Sequence, residues 1–118
     1  VALVVENDDA MRRAYQLILG DRLGMVPRVT GGIAEALAQM GDDAPDVLIA
    51  DYNLDNGDTG LQAIRDLRAR VGQPVPAIIV SARRDPELGR ASLEMGVPVL
   101  EKPVRPEELQ AMLDRMLV

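Results

Sequence analysis

Short apolar runs alternate with segments of helical period along the whole chain, and most of these runs end in polar residues able to serve one reaction. Val1-Ala2-Leu3-Val4-Val5 leads into Glu6-Asn7-Asp8-Asp9, and Val47-Leu48-Ile49-Ala50 leads into Asp51. Ala77-Ile78-Ile79-Val80 runs into Ser81, and Val97-Pro98-Val99-Leu100 into Glu101-Lys102-Pro103. A weaker run, Val26 to Thr30, is interrupted by Pro27, which places it at a sheet edge because proline cannot donate to a ladder. Continuous apolar strands separated by helices predict a parallel sheet covered on both faces.

The intervening segments carry start and stop signals. Asp8 or Asp9 can cap a helix through about Asp21, with Met11, Tyr15, Ile18 and Leu19 on one face. Another helix is expected from Gly32 to Met40, ended by Gly41 and Pro45. A polar loop from Asn53 to Thr59, with the Asn56-Gly57 turn signal, precedes a helix from Gly60 to about Val71. Pro86 suits the first turn of the next helix, which Gly96 stops. Pro106-Glu107-Glu108 opens the last, with Leu109, Met112, Leu113, Met116 and Leu117 as its apolar stripe.

Five strands alternating with five helices predict a parallel sheet covered on both faces, one domain over residues 1–118, and the doubly wound strand order 2-1-3-4-5 is one that such a chain can take. In that order, ligands bind beyond the carboxyl ends of strands 1 and 3, where the winding reverses. Those ends carry Glu6-Asn7 and Asp51, so topology and polar chemistry select the same place.

Composition narrows the function classes. The chain has 118 residues, no Cys, no His, no Trp and no Phe, and a net charge of −6. The usual zinc sites and a Ser-His-Asp triad are therefore excluded. Few aromatics and negative charge argue against nucleic-acid binding, and no basic or helix-turn-helix segment is present. No apolar run approaches the roughly 20 residues that span a bilayer, so no membrane contact by this segment and a cytoplasmic location are expected. The chain opens on Val1 rather than Met, which fits a segment of a longer protein.

A lone strand-end aspartate is usually a cap or a solvated turn. Glu6, Asp8, Asp9 and Asp51 crowded into one cleft would repel one another without a cation, and a hard cation with oxygen ligands, Mg²⁺, answers that. Ser81 and Lys102 each have an ordinary reading as strand end and solvated lysine. Yet Lys102-Pro103 directly after a strand restricts the backbone and can hold a cis bond. An oxygen nucleophile, a metal, a cation and a hydrogen-bond donor are together the inventory of phosphoryl transfer.

At this point the chain resembles the receiver domain of two-component response regulators over essentially its whole length, which implies a flavodoxin-like, doubly wound three-layer sandwich of strand order 2-1-3-4-5. The resemblance is carried by Leu3-Val4-Val5-Glu6-Asn7-Asp8, Ile49-Ala50-Asp51-Tyr52-Asn53-Leu54, Ile79-Val80-Ser81-Ala82 and Glu101-Lys102-Pro103. It implies that Asp51 takes a phosphoryl group from phosphohistidine, that Ser81 contacts the phosphoryl oxygens, and that Lys102 pairs with them. It further implies Mg²⁺ held by Glu6, Asn7, Asp51 and the Asn53 carbonyl, with Asp8 as a possible substitute. The implied partner is a histidine kinase or histidine phosphotransfer domain, with homodimerisation a further option. Glu6-Asn7-Asp8 and the stretch from Ala50 to Gly60 are most similar to the receivers that end hybrid sensor histidine kinases.

Three positions depart from the family pattern. Asn7 stands where most receivers carry an acidic metal ligand, which implies weaker metal binding. The loop after Asp51 is one residue longer than usual and lacks the common proline two residues after Asn53. Val99 replaces an aromatic residue that swings inward on phosphorylation. Two rivals are weighed against the receiver. A pseudo-receiver would dock partners without being phosphorylated. A haloacid-dehalogenase-like phosphatase would place its nucleophile after the first strand in an Asp-x-Asp motif, which Glu6-Asn7-Asp8 lacks.

Overall fold

The computed structural model describes residues 1–82 and 85–117. Its strands are β1 (Ala2–Val5), β2 (Pro27–Thr30), β3 (Val47–Asp51), β4 (Ala77–Ser81) and β5 (Val99–Glu101). They form one parallel sheet in the order β2-β1-β3-β4-β5, the topology expected from the sequence. Parallel neighbours in register (Val5 opposite Ala50, Asp51 opposite Val80, Ser81 opposite Glu101) bring the strand ends to one edge.

The helices are α1 (Asp9–Tyr15, continued in π geometry through Gln16–Arg22), α2 (Ile33–Met40), α3 (Gly60–Val71), α4 (Pro86–Met95) and α5 (Pro106–Met116). Side chains alternate across each strand, so each strand feeds two cores. Leu3, Val5, Leu48, Ala50, Ala77 and Ile79 pack with residues of α2, α3 and α4. Ala2, Val4, Val47, Ile49, Ile78, Val80 and Leu100 pack with Tyr15 and Leu19 of α1 and Leu109 and Leu113 of α5. These are the three layers expected.

Local corrections have local causes. The first helix ends in wide turns, with Leu23 N–H donating to Ile18 O at 3.0 Å and Met25 N–H to Leu19 O at 2.8 Å. A 3.6-residue apolar period does not distinguish these from α turns. The last strand runs from Val99 to Glu101 rather than from Val97 to Leu100. Pro98 has no N–H for the ladder, while its carbonyl already accepts from Ile79 N–H at 3.0 Å. Of the stripe expected on α5, Leu109 and Leu113 are buried, whereas Leu117 is 38% exposed.

Candidate functional site

Glu6 and Asp51 follow the strand residues Val4 and Ile49 by two positions, and Lys102 follows Leu100 by two. The period of two therefore turns all three toward the α1/α5 side of the sheet. There the Lys102 ammonium lies 3.2 Å from Asp51 Oδ1 and 3.7 Å from Glu6 Oε1. The Lys102–Pro103 peptide is cis, and Lys102 N–H donates to Ser81 O at 2.8 Å. Ser81 alternates with Val80 and by strand parity belongs to the opposite face at the same edge, where it is buried. Asp51 is buried as well, 7% exposed.

Burial is most severe at Glu6. Its side chain is 1% exposed, and neither carboxylate oxygen has a hydrogen-bond donor among the described residues. Two buried carboxylates face one ammonium, an uncompensated negative charge in a place that water barely reaches. Burial first, and then the adjoining Asp51 side chain, push the Glu6 carboxyl up to about 7, against the pull of Lys102. Burial, reinforced by Glu6 and Asp51, also raises the Tyr15 phenol above its ordinary value.

Glu6 thus carries a pH signature. Its folded value lies above the unfolded carboxylate range, so the folded state binds more protons than the unfolded state between about pH 4.5 and 7. With a chelator present, stability falls as pH rises through that window, by a loss on the order of 2–3 kcal/mol. Thermal midpoints at pH 5 and pH 8 in EDTA measure it, and Glu6→Gln removes most of the difference. A midpoint that climbs from pH 5 to pH 8 in wild type and variant alike refutes this assignment.

The other expected site residues stand as follows. Asp8 is exposed and caps α1, its Oδ1 accepting from Ala10 N–H at 2.8 Å and Met11 N–H at 3.2 Å. Asp9 pairs with Arg12, whose guanidinium also donates to Glu6 O at 2.8 Å and so ties the first loop to α1. Asn7 is half-buried, and its Nδ2 donates to Asp55 Oδ1 at 2.9 Å. Asn53 forms an isolated bridge with Thr59, flanked by Gly60 N–H to Tyr52 O at 2.9 Å and Leu54 N–H to Asp58 O at 3.0 Å. Val99 is half-buried and lines a cleft of about 230 Å³ with Asp85, Leu88, Gly89 and Ser92.

Asp55 and Gly60 belong to the site's construction and do not follow from strand-end chemistry. Gly60 opens α3 directly against the end of β3, where a Cβ would lie 2.4 Å from Asp51 O and 2.8 Å from Ile79 Cδ1. The only sequence sign of Asp55 is its place in the lengthened loop.

The donor set suits a hard cation. Glu6 offers buried oxygens without donors, Asp51 offers a second carboxylate, and the chain contains no Cys and no His to compete as ligands. Among the described residues, no three acidic side chains converge in a metal-holding group.

The model of the response regulator receiver domain matches residues 2–114. The phosphate regulon transcriptional regulatory protein PhoB of Escherichia coli is 28% identical over 117 residues, covering 98% of this chain and 50% of that protein. Its counterpart from Klebsiella pneumoniae is 29% identical over the same share of each chain. The chain thus spans about half the length of the curated relatives it matches. Chemotaxis protein CheY4 of Vibrio cholerae superposes with a TM-score of 0.86 at 26% identity, over 98% of this chain and 97% of that one. The receiver domain of NtrX from Brucella abortus, at 24% identity, shares the fold with a TM-score of 0.85, over 99% of this chain and 98% of that one.

Proposed function

The chain belongs to the response regulator receiver family, and from that premise we propose that residues 1–118 form one receiver domain whose phosphoacceptor is Asp51. The observation that carries this reading is the meeting of Asp51, Glu6 and Lys102 at a single sheet edge, within 3.2–3.7 Å of one ammonium. An Asp51 oxygen attacks the phosphorus of a phosphohistidine. The P–N bond breaks, its electron pair returns to the imidazole, which takes up a proton, and a mixed carboxylic–phosphoric anhydride forms on Asp51. Most of the catalysis in such a transfer is positioning and charge stabilisation.

Lys102 is placed to follow the charge. It sits against Asp51 before transfer and can pair with a phosphoryl oxygen afterward, an attraction of about 4 kcal/mol at 4 Å and an effective dielectric near 20, before desolvation. Mg²⁺, held by Glu6 and Asp51 with Asn7 and the Asn53 carbonyl beside them, would neutralise the phosphoryl oxygens. Ser81 leaves the sheet on the opposite face, so its hydroxyl would have to reach over the strand end to donate to one of them, as the family resemblance implies. Receiver domains interact with histidine kinases or phosphotransfer proteins, and this domain would do so as the receiver segment of a hybrid sensor histidine kinase. The Glu6-Asn7-Asp8 run and the stretch from Ala50 to Gly60 support that context.

A pseudo-receiver is the second reading, favoured by the neutral Asn7 beside Glu6. Incubation with acetyl phosphate and Mg²⁺, followed by intact-mass measurement, separates the two. The phosphoacceptor reading expects one labile phosphoryl adduct that EDTA prevents and hydroxylamine removes. A chain that stays unmodified with acetyl phosphate and with a phosphohistidine donor is a docking module.

A further inference from the structure

Asn7 and Asp55 lie 48 positions apart in sequence, yet the Asn7 amide nitrogen is fixed on the Asp55 carboxylate at 2.9 Å. A carboxylate only accepts, so the amide must present its nitrogen to Asp55, and its oxygen is released for another partner. Asn7 is joined directly to Glu6, whose buried carboxylate oxygens have no donor.

The loop is shaped to deliver Asp55. Residues Asp55–Gly57 form a 3₁₀ turn in which Asn56 and Gly57 both take positive φ, 61° and 79°. Asp58 N–H closes the turn on Asp55 O at 3.2 Å. Asp55 begins the turn and occupies the place where the sequence lacks the family's common proline. The lengthened loop thus returns an acid toward the first loop, where Asn7 has removed one.

We propose that Asp55 is a positioning residue for divalent-cation binding, which orients the Asn7 amide oxygen toward the site and supplies the negative charge that Asn7 lacks. The inference rests on the reading of Glu6 and Asp51 as the cation's carboxylates. Asp55 acts through Asn7 and the surrounding water, as outer partners orient and tune inner ligands elsewhere.

The test is calorimetric titration with Mg²⁺ alone, without phosphoryl donor, on the wild type, Asp55→Asn, Asp55→Ala and the double variant Asn7→Asp/Asp55→Asn. Thermal midpoints in EDTA establish that each variant is folded. Both single variants are expected to bind Mg²⁺ about tenfold more weakly, the lower end of the range for losing such an outer partner. The double variant, with the acid moved back to the first loop, is expected to regain at least wild-type affinity. Single variants that bind as tightly as wild type overturn the proposal, as does a double variant no tighter than Asp55→Asn. Should Asp55→Ala fail to fold, the isosteric Asp55→Asn and the double variant decide. Wild-type chain that binds no Mg²⁺ and takes no phosphoryl group from acetyl phosphate would instead refute the underlying reading.

Discussion

Asp51→Asn is expected to accept no phosphoryl group from acetyl phosphate or phosphohistidine under conditions expected to modify the wild type. The amide nitrogen shares its lone pair with the carbonyl, and no anionic oxygen remains to attack phosphorus, so the rate falls by roughly a thousandfold or more, about 4 kcal/mol of barrier. The substitution is close to isosteric, and it removes one of the two carboxylates that crowd the cleft. Glu6 then has Lys102 to itself, across the 3.7 Å that the ammonium now shares with Asp51. The variant should therefore be no less stable than wild type in EDTA at pH 8, which separates loss of the nucleophile from loss of fold. Intact-mass spectrometry and a melting curve measure both halves. Undiminished adduct on the variant would move the acceptor elsewhere.

Gly60→Ala carries the largest structural effect. The added methyl would enter within 2.4 Å of Asp51 O and 3.0 Å of Asp51 C, both backbone atoms that no rotamer change can clear. Either α3 shifts away from the sheet or the end of β3 moves. Overpacking of this kind costs about 3 kcal/mol, which for a domain of this size lowers the melting temperature by roughly 10–15 °C. Because the obstructing atoms belong to Asp51, phosphorylation of the folded fraction should also slow. A melting temperature within about 3 °C of wild type would show that the helix start yields freely.

How far the sequence discloses this molecule varies with the range of the interaction. A parallel sheet and the gathering of Glu6, Asp51 and Lys102 follow from apolar runs that end in polar residues, because parallel pairing puts all such ends on one side, whereas the strand order comes with the receiver resemblance. The cis Lys102–Pro103 bond was legible as a possibility from the dipeptide itself. Asp8 is one of two cap candidates in the sequence and a possible substitute metal ligand there, and its two accepted backbone bonds are decided by where α1 begins. The contact between Gly60 and the Asp51 carbonyl depends on how closely a helix approaches a strand, which composition does not encode. The Asn7–Asp55 bond depends on the path of a loop with an inserted residue, and only coordinates reveal where that path leads.

The borders of the sheet also shape how copies of this domain can meet. Pro27 stands at the start of β2, and β5 is three residues long, hemmed in by Pro98 and Pro103. Rows of unpaired peptide groups invite intermolecular zipping, and short, proline-bounded margins deny a visiting strand the continuous ladder it needs. Any self-association of this domain would thereby fall to its helical flanks, where contacts can form and dissolve without adding strands.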